Sequence, residues 1–148
     1  MTRRMVLALL ALAGVFLSAY LTLFKLGYIG HLACGRGSCE QVQTSQWSVL
    51  LGMPVAAWGV GFYVAVAMLS IAGTFPSLHA STRVSWWLFA LTGWGVLFSG
   101  YLTTLELFVI HAICEYCVTS AALATAMFGV AAAELWAAKR HAAGATAD

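Results

Sequence analysis

The chain has 148 residues, of which 62% are hydrophobic and only 8% are charged. A water-soluble domain has about 25% charged residues, so a soluble protein of this size is excluded. The net charge of +2 is too small to indicate nucleic-acid binding, and the composition predicts a single integral membrane domain over residues 1–148.

Four apolar segments are long enough to cross a bilayer, whose hydrocarbon core of about 30 Å needs roughly 20 helical residues. Short alternating segments typical of transmembrane strands are absent, and lipid requires backbone groups to be paired, so helices are predicted. The expected fold is an all-α bundle of four transmembrane helices. These predicted helices cover about 5–28, 54–73, 86–110 and 114–138.

Small residues recur with a spacing of four in the first predicted helix, at Gly14, Ser18 and Thr22. Such a stripe lets two helices approach closely in lipid. A weakly polar stripe without a partner is an equally good interpretation.

The longest polar stretch is the loop at residues 30–52, which contains Cys34 and Cys39. Its part from Glu40 to Leu50 is amphipathic and carries Trp47, a residue type that favours the membrane interface. We therefore predict a short helix or turn that lies on the bilayer as a lid.

A Cys-x-x-Cys motif, Cys114 and Cys117, opens the fourth predicted helix. A helix N-terminus favours the thiolate, whereas burial favours the thiol, and the sequence does not decide between them. A disulfide across so short a loop adds little stability, which favours a redox role over a structural one. The four cysteines also admit a zinc site, although an oxidising compartment favours disulfides.

The basic residues predict the orientation, because Lys and Arg concentrate on the cytoplasmic side of a membrane. With four spans, five of them fall on one side, which is predicted to be cytoplasmic together with both termini. Both cysteine pairs then face the outer, periplasmic side of a cell inner membrane, where disulfides persist. The five are Arg3, Arg4, Arg83, Lys139 and Arg140, and only Lys25 and Arg36 fall on the other side.

Two segments of the chain are alike. Tyr20-Leu21-Thr22 is followed by His31 and Cys34, and Tyr101-Leu102-Thr103 is followed by His111 and Cys114. Because both segments run outward, the pattern predicts a parallel internal repeat that places the two cysteine pairs at one mouth of the bundle.

Several other side chains have two interpretations each. The two histidines are either proton donors and acceptors for the thiols or interfacial residues without a role. Glu106 is either functional or an interfacial partner of Lys25. Five aromatic residues would line a flat apolar pocket, but we expect them to be ordinary core packing and leave them out of the site. They are Trp58, Phe62, Tyr63, Trp94 and Phe98.

Taken together, the motifs resemble the vitamin K epoxide reductase family over roughly residues 14–126. Bacterial DsbB-type thiol oxidases have similar chemistry, but their Cys-x-x-Cys lies in the first outer loop rather than at the fourth helix. The matching residues are Cys34 and Cys39, Ser45, Gly52-Met53-Pro54, Tyr101-Leu102-Thr103 and Cys114-Glu115-Tyr116-Cys117.

The resemblance implies four helices around a quinone, either ubiquinone or menaquinone, with a half-helix of the loop capping it. It implies that Cys117 faces the quinone and that Ser45 lies beside the quinone or the Cys-x-x-Cys pair. Cys114 would be the disulfide partner of Cys117 and would exchange with Cys39. Cys34 would form a mixed disulfide with a thioredoxin-like (DsbA-like) protein, which we expect to be a separate protein and not a fused domain.

One departure from the family concerns the substrate. Animal members have a tyrosine four residues after the second motif cysteine, where this chain has Ala121. We therefore expect a thiol:quinone oxidoreductase. The alternatives are a vitamin K epoxide or quinone reductase, and a non-enzymatic membrane scaffold or zinc-binding protein with structural cysteines.

Overall fold

The chain folds into four long helices, as the composition predicts. The computed structural model describes residues 2–35, 38–75 and 81–145. Four of its helices are long and apolar enough to cross a membrane, which confirms the predicted fold class. In chain order the helices are α1 (Thr2–Lys25), α2 (Cys39–Thr44), α3 (Val55–Ala72), α4 (Thr82–Leu105) and α5 (Glu115–Ala145).

The ends of the long helices differ from the predicted ones where the backbone is special. α1 ends at Lys25, before the predicted position 28, because Gly27 has a φ of +83° and lies in the left-handed region. α4 starts earlier than predicted and is extended by a π-helical turn, Glu106–Ile110. α5 begins at Glu115 and continues beyond the predicted end at residue 138.

Residues 39–54, which we call the cap, contain the predicted short helix. After α2, a 3₁₀ turn at Gln46–Ser48 leads into a small antiparallel hairpin of β1 (Val49–Leu50) and β2 (Met53–Pro54). Leu51 and Gly52 connect the strands with φ values of 55° and 81°, and two positive φ values are typical of a tight hairpin turn. This compact turn returns the chain directly to the start of α3.

Small residues bring α1 and α3 into close contact. Gly14 and Ser18 are both buried. The ring of Tyr63 lies directly over Gly14, and a Cβ at Gly59 would be 3.2 Å from the Ser18 hydroxyl. The predicted close helix approach is therefore confirmed for these two positions.

The internal repeat is visible in the packing. At the position in α4 that corresponds to Gly14, Gly95 receives the ring of Phe62, the neighbour of Tyr63. Thr22 and Thr103 also correspond, and each donates a hydrogen bond to a carbonyl four residues earlier in its own helix. Two consecutive aromatic side chains of α3 thus fill equivalent gaps in the two related helices.

A buried ion pair ties the helices together at the end far from the cysteines. Arg4 of α1 is only 2% exposed, and its Nε lies 2.9 Å from Oε1 of Glu134 in α5. Its guanidinium also donates to the Gly73 carbonyl after α3 and to the Ser85 hydroxyl of α4. One side chain therefore connects all four long helices at this end.

Candidate active site

All four cysteines lie in one cluster at the end of the bundle under the cap. Cys34 and Cys39 form a disulfide with their Cα atoms 6.3 Å apart, while Cys114 and Cys117 are free thiols. Cys39 and Cys114 belong to the same buried cluster, and Cys34 and Cys117 pack against it half-buried. The structure therefore brings together two pairs that are distant in sequence.

Backbone hydrogen bonds dock the Cys34 loop onto the start of α5. The Ser38 N–H donates to the Ile113 carbonyl at 3.1 Å, and the Gly35 N–H donates to Oε2 of Glu115 at 3.2 Å. Both donors lie within the short loop that the Cys34–Cys39 disulfide closes. Arg36, one of the two basic residues predicted for this side, lies outside the described residues.

Two tyrosines fix the residue just before Cys34. The Tyr116 hydroxyl donates to the Ala33 carbonyl at 2.6 Å, and the Ala33 N–H donates to the Tyr20 hydroxyl at 3.3 Å. The two rings pack against each other with centroids 5.5 Å apart. Because Tyr116 lies inside the Cys-x-x-Cys motif, the outer loop and the inner pair share one rigid contact.

Glu106 lies beside the inner pair, Cys114 and Cys117. Its Oε2 accepts a hydrogen bond from the Cys114 N–H at 3.1 Å, and the carboxyl group and the Cys117 side chain line the same cavity. The Cys117 thiol is in turn hydrogen-bonded to Cys114, which lowers the pKa of Cys114 although burial opposes this effect. A thiol with a lowered pKa is more readily ionised, and the thiolate is the nucleophile of disulfide chemistry.

The backbone between α4 and α5 explains why Glu106 reaches this position. The π-helical turn widens the end of α4, and the Ala112 N–H closes it by donating to the Glu106 carbonyl at 3.1 Å. His111 then reverses the chain in the left-handed conformation, with a φ of 55°. The chain folds back so that Cys114 lies over the Glu106 side chain.

A cavity of about 580 Å³ lies beneath the cap, between α1, α3, α4 and α5. Cys117 lines it, together with Glu106 and Gln43, whose Nε2 lies 4.0 Å from the Cys117 sulfur. Most of the remaining lining is apolar. Phe62 and Tyr63 pack in the hydrophobic core, as the sequence analysis expects, and they line this cavity together with three other aromatic residues, Trp58, Trp94 and Phe98.

The cavity has the properties of a site for a small apolar ligand. Its volume falls within the roughly 300–1,000 Å³ of ligand pockets, which combine an apolar lining with a few polar groups. The polar lining groups next to Cys117 are Gln43 of the cap and Glu106, and aromatic side chains form part of the apolar lining.

Ser45 lies in the cavity wall, as the resemblance implies. Its hydroxyl donates to the Val42 carbonyl at 2.7 Å, and its own carbonyl accepts from the Ser48 hydroxyl at 2.7 Å. Both bonds are internal to the cap, so Ser45 holds the turn between α2 and the 3₁₀ segment. Gln43 has no distinctive sequence signal, and its place near Cys117 depends on this folding of the cap.

The remaining polar candidates have simple surroundings. Lys25 donates from Nζ to the Gln43 carbonyl and the Ser48 hydroxyl, both at 2.7 Å, so it binds the cap rather than Glu106. His31 is exposed at its side chain (93%) and lies 3.4 Å from the Glu40 carboxylate. His111 is also exposed, and its contribution in the structure is the backbone reversal.

A family model now gives an independent comparison. The vitamin K epoxide reductase family model matches residues 5–132, which is most of the chain. The chain belongs to this family. Family membership supports a membrane redox function of the oxidoreductase kind, and the four apolar helices indicate a multi-pass membrane protein. The matched residues include the cap, all four cysteines and Glu106.

Proposed function

We propose that the protein is a membrane thiol:quinone oxidoreductase that reoxidises a separate thioredoxin-like, DsbA-like protein. The observation that carries this proposal is the position of the two cysteine pairs. They meet in one cluster, and only the inner pair reaches the cavity, through Cys117. Such an arrangement suits a relay from an outside thiol to an acceptor held within the bundle.

The first step takes place at Cys34, the half-buried member of the outer pair. A thiolate of the partner attacks the Cys34 sulfur, the Cys34–Cys39 bond breaks, and Cys39 leaves as a thiolate. The second partner thiol then attacks the mixed disulfide, so that the partner leaves oxidised and Cys34 is a thiol. Disulfide exchange requires this access for the attacking sulfur.

The second step moves the electrons inward. The Cys39 thiolate attacks Cys114 in the Cys114–Cys117 disulfide and releases Cys117, after which Cys34 attacks Cys39 and releases Cys114. The outer disulfide forms again, and the inner pair holds two electrons and two protons as thiols.

The third step regenerates the inner disulfide. A bound quinone, ubiquinone or menaquinone, supplies an acceptor for two electrons and two protons. Cys117 lies against the cavity and delivers the electrons, and Cys114 closes the new disulfide with Cys117. Ser45 and Gln43 hold the cap over this site.

The charges support one orientation in a cell inner membrane. Arg3 and Arg4 lie at the end of the bundle opposite the cysteines, where Arg3 donates to the Ala133 carbonyl near the end of α5. Because basic residues favour the cytoplasmic side, we place both termini there and the cysteine pairs on the outer, periplasmic side.

The test uses the purified protein in detergent, reduced with a dithiol and then freed of it. One equivalent of a soluble quinone is added, and its absorbance is followed beside that of Cys117→Ala. We expect stoichiometric quinol from the wild type and none from the variant. Equal behaviour of the two proteins would contradict the assignment and favour a scaffold with structural cysteines.

A second variant tests the order of the relay. Cys34→Ala should react with small dithiols, which reach the inner pair directly, but it should lose turnover with a thioredoxin-like partner. Full turnover of Cys34→Ala with the partner would show that electrons enter elsewhere. The same assay with a vitamin K epoxide as acceptor separates quinone reduction from epoxide reduction.

A zinc-binding role has less support from the geometry. Within residues 2–35, 38–75 and 81–145, no group of three or more His, Cys, Asp and Glu side chains is arranged to hold a metal ion.

A further inference from the structure

We propose that Glu106 is a catalytic residue that accepts the Cys117 thiol proton and passes it to the acceptor in the cavity. This inference rests on the proposed thiol:quinone activity. It begins from an unused group: the electron relay needs only the four cysteines, but two protons must also leave the inner pair. The Glu106 carboxyl group accepts a hydrogen bond from the Cys114 N–H and lines the cavity together with Cys117.

The contacts of Glu106 fit a proton carrier. The residue is only 4% exposed, yet it lines the cavity beside Cys117. One hydrogen bond, from the Cys114 N–H at 3.1 Å, is to a backbone donor that cannot give up its proton and therefore orients the carboxyl group. Cys117 lines the same cavity as this carboxyl group, and its thiol proton is the one that must move.

The backbone around Glu106 supports the same conclusion. Single π-helical turns within α-helices are frequent at functional sites. Here the π turn begins at Glu106, and the left-handed residue His111 completes the reversal that aims the carboxyl group at α5. Ionisable groups at membrane depth are costly and are kept where they have a function. Lys25, the basic residue at the end of α1, is bound to the cap and not to Glu106.

The proton balance is as follows. Reduction of a quinone to a quinol needs two electrons and two protons, and the Cys114 and Cys117 thiols hold both. When Cys117 gives up its electron pair and the disulfide forms, its proton moves to the Glu106 carboxylate and then to one quinone oxygen. The Cys114 proton reaches the other oxygen by the same carboxylate after the first has left. Glu106 ends unprotonated, and no further reactant is needed.

The experiment compares Glu106→Gln with the wild type in two assays. Gln retains an oxygen that accepts from the Cys114 N–H but cannot carry a proton. In the quinone assay with pre-reduced protein, we expect kcat to fall by about 10²-fold, the usual contribution of general acid–base catalysis, with little change in KM. Glu106→Asp should restore part of the rate. Glu134→Gln, at the far end of the bundle, is the matched control and should stay within about twofold of the wild type.

The second assay needs no quinone. Reduced protein is treated with iodoacetamide at neutral pH, and modification of Cys117 is followed by tandem mass spectrometry. A carboxylate next to a thiol disfavours its thiolate form, so Glu106→Gln should be modified at Cys117 about threefold or more faster than the wild type. A variant that is slower in turnover although its thiol is more reactive shows that proton transfer is lost.

Three results would overturn the proposal: unchanged kcat in Glu106→Gln, unchanged Cys117 modification, or a loss of kcat that Glu106→Asp does not restore at all. Failure of the proposed function looks different. In that case the wild type itself forms no quinol, while the alkylation assay still shows whether Glu106 and Cys117 share a proton.

Discussion

Gly14 is the single residue on which the contact between α1 and α3 most depends. A Cβ at this position would overlap the ring of Tyr63, which is buried and lines the cavity. Gly14→Ala should therefore lower stability by about 1–3 kcal/mol through overpacking, and it should weaken quinone binding by displacing Tyr63. Thermal unfolding in detergent, followed by circular dichroism, measures the first effect, and KM measures the second.

Gly129 of α5 is the matched control. A Cβ there would meet nothing within 4 Å, so Gly129→Ala should be neutral or stabilising by up to about 1 kcal/mol because alanine favours the helix. If the two substitutions have the same effect, steric contact with Tyr63 is not what makes Gly14 necessary.

At the level of single residues, the sequence predicts the role of the cysteines but not the position of Glu106. The type and spacing of the cysteines indicate redox chemistry, so their clustering could be expected from the sequence. The position of Glu106 could not, because a regular helix from α4 onward would carry its side chain away from Cys114. Only the π-helical turn and the left-handed His111 bring the carboxyl group back, and neither has a strong sequence signature.

At the level of elements, Lys25 of α1 binds the cap. Lys25 donates to Gln43 and Ser48, and bonds from charged donors are typically worth about 1.5–3 kcal/mol. Lys25→Met should loosen the cap and raise KM for quinone by about tenfold, the change that roughly 1.4 kcal/mol produces. Steady-state kinetics checks this.

Lys139→Met serves as the control for Lys25→Met, since Lys139 is exposed near the end of α5, away from the cap. An unchanged KM in Lys25→Met would mean that the hairpin and α2 hold the cap closed without the ammonium group.

The loop before Cys34 gives a second prediction for an element. Tyr116→Phe removes the hydrogen bond to the Ala33 carbonyl, worth about 1 kcal/mol, and should slow exchange between the two cysteine pairs by about fivefold. Quinol formation from protein whose inner pair is already reduced should not change. Rapid-quench alkylation separates the two steps.

Tyr101→Phe provides the comparison for Tyr116→Phe, because Tyr101 corresponds to Tyr20 in the repeat but is 53% exposed. Slowing of both steps by Tyr116→Phe would point to a general disturbance of α5 instead of a loosened loop.

For the molecule as a whole, the four helices could be predicted because lipid imposes length and apolarity on each span. The resemblance implies a capped pocket among these helices, but its full lining could not be predicted, since it comes from the cap and all four long helices and depends on their tertiary arrangement. The repeat explains part of that arrangement. Gly14 and Gly95 accept Tyr63 and Phe62, so one turn of α3 is wedged between two related helices and its aromatic side chains border the cavity.

We expect the end of the bundle with Arg4 and Glu134 to contribute to stability and the end with the cysteines to carry the activity. Substitutions of the Arg4–Glu134 pair test this expectation. Glu134→Ala leaves a buried guanidinium without its carboxylate, and breaking a buried pair in this way should cost up to about 3 kcal/mol. Replacing both partners with apolar residues, Arg4→Met with Glu134→Leu, should recover much of the loss because no charge then remains buried. Thermal unfolding of the single and double variants measures both effects.

The quinone assay completes this test of the far end. Since Arg4 and Glu134 connect the helices at the end away from the cysteines, kcat of the folded single variant should match that of the wild type at temperatures below its unfolding. A loss of kcat without a loss of stability would mean that the far end controls the geometry of the cavity. A structural change at Arg4 would then alter the position of Cys117 through α1 and α5.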